Sequence, residues 1–273
     1  MRDDSLDSVT PGGRPAPLGA RGESDVPGLA GGNVPSLERL GVSTQLLLLV
    51  LISALLVFAA IAADVVDAGR LSELDADVAD WVARSMPSWA EWLARPFTWL
   101  GGAVGVTVVV AAGAIWLFRR HARVEAALLV VVALGIQLLV FTAKHAYARP
   151  RPDVGSAIRL PSSYSFPSRH AATGIAVLGL LGLLAATASH TRRRRVAAIG
   201  VGFVIGALTG ASRVVLNVHY LSDVLAGAAL GLVWLTVCLL VDRQLRPRRG
   251  GAPPPAREAS PAHGGHERTS TSR

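Results

Sequence analysis

Residues 212–242 read SRVVLNVHYLSDVLAGAALGLVWLTVCLLVD. Between Ser222 and Asp242 almost every residue is apolar. A helix rises about 1.5 Å per residue, so roughly 20 such residues cross a hydrocarbon core of about 30 Å. The stretch therefore predicts a membrane-spanning helix. Ser212, Arg213, His219 and Asp223 crowd its start. Ionisable groups at membrane depth are expensive unless they are used, which makes them functional-site candidates.

The same pattern recurs upstream. Apolar runs at about 46–66, 99–118, 125–143, 170–188 and 196–212 bring the predicted spans to six. Strands of this length would not form a barrel, so the expected fold is all-α, a six-span transmembrane helical bundle. Composition agrees. The 273 residues are 51% hydrophobic and only 17% charged, and the mean hydropathy is +0.43. A soluble domain of this length would carry more charge. The net charge of +8 raises nucleic acid as a partner, but the arginines cluster at the ends of apolar runs, where they signal topology instead. No nucleic-acid partner is expected. The single cysteine, Cys238, lies mid-run, excludes an intramolecular disulfide or a thiolate metal cluster, and is expected to be a packing residue.

Residues 1–45 are rich in Gly, Pro, Asp and Arg without apolar periodicity, and 243–273 contain Pro253-Pro254-Pro255. Both are expected to be disordered cytoplasmic tails around a 46–242 membrane domain. The first apolar run starts only at Leu46 and is long enough to stay in the membrane, which argues against a cleavable signal peptide. His263 and His266 lack companion ligands, and no metal site is expected.

Orientation follows from the arginines. Arg119, Arg120 and Arg123, then Arg192 to Arg195, then Arg243, Arg246, Arg248 and Arg249 all fall on one side of the predicted bundle. The positive-inside rule assigns that side to the cytoplasm, with both termini. The first outer loop is instead acidic, with Asp67, Glu73, Asp75, Asp77, Asp80 and Glu91. Segments 144–170 and 212–223 then emerge together on the outer face. Within the loop 67–98, Leu71, Leu74, Val78 and Trp81 or Val82 recur at helical spacing, and Trp81, Trp89, Trp92 and Trp99 suit the headgroup level. This is an interfacial anchor or, alternatively, a lid over a lipid substrate. Gly202, Gly206 and Gly210, with Gly227 and Gly231, predict close helix packing.

Three polar patches carry the chemistry. The first supplies Lys144 and Arg151, with Arg149 as an additional cation, and Pro150 and Pro152 restrict the backbone and help hold the guanidinium groups outward. Arginine suits phosphate because its planar fork donates paired hydrogen bonds, and lysine adds a compact charge. The second, Phe166-Pro167-Ser168-Arg169-His170, begins a helix, where free N–H groups and the dipole favour an anion. Ser168 can cap that helix, donate to a substrate, or both, and His170 can act as a general acid. In the third, His219 and Asp223 lie four apart, so a carboxylate can fix the imidazole tautomer and leave the other nitrogen free to attack. The alternative is that Ser222 or Asp223 only caps the last helix.

Together, Lys144-x6-Arg151-Pro152, Pro167-Ser168-x-His170 and Ser212-Arg213-x5-His219-x3-Asp223 resemble the type-2 phosphatidic acid phosphatase superfamily over roughly 46–242. The resemblance implies a metal-independent, cofactor-free, multi-pass cell-membrane phosphatase whose site lies at the extracytoplasmic interface. It implies His219 as nucleophile, Asp223 as its orienting partner and His170 as general acid, with Lys144, Arg151, Ser168 and Arg213 on the phosphate oxygens. The family usually has glycine where this chain has Arg169, which either points away from the phosphate or lends another charge to a diphosphate or headgroup. The expected reaction is hydrolysis of a lipid phosphate or polyprenyl (di)phosphate, undecaprenyl diphosphate among the options, through a phosphohistidine. A lipid phosphotransferase using the same residues and a non-catalytic lipid-binding or transport protein are the rival readings.

Overall fold

A computed structural model describes residues 40–246. Among these, eight helices account for nearly all regular structure: α1 (Thr44–Val66), α2 (Arg70–Ser85), α3 (Ser88–Leu100), α4 (Ala103–Arg119), α5 (Arg123–Tyr147), α6 (Arg169–Thr187), α7 (Arg192–Val215) and α8 (Leu221–Leu245). The tails expected at 1–45 and 243–273 lie largely outside the described residues, as do His263 and His266.

Five helices, α1, α5, α6, α7 and α8, are long and apolar enough to cross a membrane, and α3 with α4 makes a sixth span if the bent pair is taken as one. The bend is 53° and falls at Gly101-Gly102, so the second span does not begin cleanly at residue 99 as expected. The segment 67–98 is two helices, α2 and α3, and not a loop with one amphipathic piece. The buried face of α2 also differs from the expected stripe. Asp75, Ala79 and Val82 are buried, whereas Leu74 and Trp81 face outward. An acid on the inward face forces the question of what it pairs with.

Helix ends follow local chemistry. Ser43 caps α1, its hydroxyl accepting from Leu46 N at 3.1 Å. α5 ends where Ala148 turns left-handed at φ 45°, and the Arg149-Pro150-Arg151-Pro152 run cannot continue a helix. Asn217, also left-handed at φ 51°, turns the chain between α7 and α8. Its amide donates to Ala79 O at 3.1 Å and ties the turn to α2.

α6 is the most buried span and α1 the least. α6 packs between α7, α8 and α5, while α1 lies on α8, α3 on α7 and α4 on α5. A central cluster including Leu129, Val132, Ile136, Val140, Leu180 and Leu235 fills the middle. The expected glycine packing is present. A Cβ on Gly206 would meet Gly174 O at 2.6 Å, and one on Gly231 would meet Ala172 O at 2.5 Å. Backbones this close let α6 sit at the centre with good dispersion contact. Trp81, Trp89, Trp92 and Trp99 are all exposed, together with the outer face of α1. Cys238 is buried in the central cluster.

Candidate active site

The end of α5, the start of α6, the end of α7 and the start of α8 meet at one pole of the bundle. The three patches therefore converge there. His219 Nδ1 faces Asp223 Oδ2 at 3.1 Å, and Arg151 Nη1 lies 3.0 Å from His219 Nε2. A guanidinium can only donate and a carboxylate can only accept. The neutral ring thus carries its proton on Nδ1 and presents the Nε2 lone pair toward Arg151. Burial pushes the His219 imidazole well below its ordinary value, and the charges of Arg151, Lys144, Arg213 and Arg169 reinforce this. A neutral imidazole is what nucleophilic attack requires.

Asp223 contacts both the imidazole and the start of α8. Its Oδ2 also accepts from Tyr220 N at 3.0 Å, closing the first turn of α8. The loop 148–168 is folded back over the end of α5. Lys144 Nζ donates to Ser165 O at 3.0 Å and also to Tyr164 O, while Arg151 Nε donates to Ser163 O at 2.8 Å. Arg151 Nη1 further donates to Val218 O at 2.6 Å. Burial lowers the Arg151 guanidinium from its ordinary value, partly offset by Asp223.

Ser168 does not cap α6 with its side chain. Its backbone N donates to Asp223 O at 2.9 Å, which joins the second patch to the third. Among the described residues, its buried hydroxyl has no hydrogen-bond partner, and neither has Arg213 Nε. Orphaned polar groups of this kind are costly unless a ligand satisfies them.

Lys144, Arg151, Arg169, His170, Arg213 and His219 line one cavity of about 610 Å³. Its remaining wall includes Val106 of α4 with Leu138 and Phe141 of α5. Leu138 and Phe141 are exposed on the outside of the bundle, so the cavity reaches from cations to the apolar flank.

Three contributors were not evident as site residues in the sequence. The Gly101-Gly102 break redirects Gly102 N to Trp99 O at 3.0 Å, leaving Thr98 O free to accept from His170 Nε2 at 3.2 Å. The Thr98 hydroxyl accepts from Arg213 Nη1 at 2.6 Å and from Ser212 Oγ at 3.2 Å. Any side chain on Gly101 would strike the His170 ring at 2.7 Å. Arg149, expected as an additional phosphate cation, is instead committed to carboxylates, with Nη1 2.8 Å from Asp223 Oδ1 and Nη2 2.8 Å from Asp75 Oδ2. Burial lowers its basicity, but Asp223 and Asp75 outweigh this and raise it. Asp75, which the sequence places among the acids of an outer loop, is another of these contributors. The available signal was its place on a helical stripe with Leu71, Val78, Ala79 and Val82.

A helical membrane bundle with two histidines, a carboxylate and clustered cations at one pole defines a recognisable class. Residues 124–247 match the PAP2 superfamily. The chain is 33% identical over 143 residues to decaprenylphosphoryl-5-phosphoribose phosphatase of Mycobacterium tuberculosis, covering 51% of this chain and 71% of that protein. It is 38% identical over 119 residues to lipid A 1-phosphatase of Porphyromonas gingivalis, covering 42% of this chain but only 24% of that relative's length. Its fold is similar to the crystal structure of a transmembrane PAP2-type phosphatidylglycerolphosphate phosphatase from Bacillus subtilis, with TM-score 0.65 and 26% identity over 72% of this chain and 97% of that one. The chain belongs to the PAP2 superfamily and is a multi-pass membrane protein.

Proposed function

We propose that this protein is an integral-membrane phosphatase that hydrolyses a lipid phosphate or polyprenyl (di)phosphate through a phosphohistidine on His219. The observation that carries this reading is the single cavity joining His219, His170 and four cations to the apolar flank of α4 and α5. A phosphate would occupy the cationic end while its lipid chain leaves between the two helices.

The substrate phosphate draws Arg151 from His219 Nε2, since an anionic oxygen is a better acceptor than a neutral imidazole. The Nε2 lone pair then attacks phosphorus in line. As the N–P bond forms, the P–O bond to the lipid breaks, and His170 supplies the proton to the departing oxygen. Asp223 holds the Nδ1 proton and balances the charge on the phosphorylated ring. Lys144, Arg151 and Arg213, the Ser168 hydroxyl and Arg169 take the equatorial oxygens, where stabilising charge is the main task of phosphoryl transfer. Water, losing a proton to His170, then cleaves the N–P bond and releases inorganic phosphate. The cations perform the neutralisation for which other phosphatases use metal ions, so no step is routed through a metal.

The expected location is the cell membrane, with the site on the extracytoplasmic face and the termini in the cytoplasm. What supports this is that Arg119, Arg123 and Arg192 to Arg195 end their helices at the pole opposite the site.

The test is phosphate release by the purified protein from a panel of phosphatidic acid, phosphatidylglycerol phosphate and polyprenyl mono- and diphosphates in micelles. Wild type should turn over at least one and form an acid-labile phosphoenzyme, and His219→Ala should do neither. Normal turnover by His219→Ala would refute the assignment.

A further inference from the structure

Beside the site lies a buried acid that the mechanism does not use. Asp75 is 2% exposed and Asp223 fully buried, and each carboxylate takes a different terminal nitrogen of the Arg149 guanidinium. Asp75 Oδ2 takes Arg149 Nη2 at 2.8 Å and the Ser222 hydroxyl, while its Oδ1 takes Ser222 N at 2.9 Å. Arg149 Nη1 reaches both Ser222 Oγ and Asp223 Oδ1 at 2.8 Å. The guanidinium carbon also sits 4.2 Å from the Tyr220 ring centroid. Its planar fork is thus held on two edges and one face.

This leaves each oxygen of Asp223 with separate work. Oδ1 is engaged by Arg149, and Oδ2 is left to His219 Nδ1 and Tyr220 N. Without Asp75, the guanidinium would be free to take both oxygens in the bidentate geometry it prefers, in competition with the imidazole. A lysine in place of Arg149 could not span two carboxylates with a fixed plane.

Taking His219 as the nucleophile proposed above, we infer that Asp75 and Arg149 are positioning residues. They form an Asp75–Arg149–Asp223–His219 relay that reserves one carboxylate oxygen for the imidazole and sets its Nδ1–H tautomer. The acid comes from α2, so the relay also makes the docking of this interfacial helix a condition for an aligned nucleophile.

A merely structural Asp75 would tie α2 to the start of α8 and do nothing to the ring. Two measurements on full-length protein in micelles separate the cases: steady-state kinetics, and the histidine ¹⁵N spectrum at pH 8, with His219 assigned by comparison with His219→Gln. Wild type should show a single Nδ1–H tautomer at His219. Asp75→Asn keeps the shape but loses the charge, and should show mixed tautomers. Its kcat should fall on the order of 100-fold, as small misplacements of reacting groups cost, with KM nearly unchanged. Wild-type kcat in Asp75→Asn would overturn the inference, and so would lost kcat with the ring still in one tautomer. Should Asp75→Asn fail to fold, Arg149→Lys decides by the same two readouts. The tautomer needs no substrate, so the relay stands or falls even if no lipid phosphate is turned over.

Discussion

Replacing Thr98 with valine removes one hydroxyl and almost no volume, and it tests how α3 serves the site. That hydroxyl accepts from Arg213 Nη1 at 2.6 Å. The backbone carbonyl of Thr98, which accepts from His170, is untouched. Ser212 loses a 3.2 Å contact with that hydroxyl but keeps its shorter bond to Thr209 O at 2.7 Å, so the main loss falls on Arg213. Arg213 is 3% exposed and its Nε is already unpartnered, leaving the guanidinium few other anchors. A hydrogen bond to a charged group contributes about 1.5–3 kcal/mol. If Arg213 must be oriented again in each transition state, that becomes roughly a 10- to 150-fold loss in kcat/KM. Phosphate release from the best substrate of the panel is the assay, with thermal unfolding in the same detergent to confirm a folded protein. Thr98→Ser should restore activity. A Thr98→Val enzyme within twofold of wild type would show that Arg213 is positioned by something else.

Because His219 is pushed well below its ordinary value of 6.5, the acid limb of kcat/KM should lie below pH 6.5 once the substrate's own ionisation is removed; a limb at or above 6.5 would contradict a neutral buried ring. The same shift bears on stability. As pH falls through 6.5, the unfolded chain takes up a proton that folded His219 resists, so this contribution is intact above that pH and lost below it. Arg169→Gly should lower turnover of a polyprenyl diphosphate more than that of the monophosphate, and an unchanged ratio would remove Arg169 from any second-phosphate role. Gly206→Ala would place a Cβ 2.6 Å from Gly174 O, two backbones with nothing to yield. It should cost about 1–3 kcal/mol, seen as a lowered unfolding temperature, and an unchanged temperature would mean that α6 and α7 can separate freely.

The spans and the charged ends of the helices were legible because both follow local rules. A run of apolar residues near bilayer length has one stable conformation in lipid. His219 and Asp223 could be paired by inspection, since four residues on a helix share a face. Asp75 could not, because its partner Ser222 lies 147 positions away. Thr98 was likewise hidden. It meets Arg213 across 115 positions, and its carbonyl is free only because the helix breaks at two glycines. Arg149 shows the limit from the other direction. Beside Arg151 it looks like a second phosphate ligand, and only its neighbours in space commit it to carboxylates.

The linear sequence therefore determined which segments cross the membrane, which pole collects the polar residues, and which side chains have the chemistry for phosphate. Those are properties of periodicity, length and residue type. Tertiary structure alone decided which cations face the cavity and which are already paired, which nitrogen of His219 carries the proton, and that α2 and α3 supply hydrogen-bond partners to Arg149, Ser222, His170 and Arg213. Each depends on distances between helices far apart in the chain, and hydrogen bonds are made or lost within an ångström.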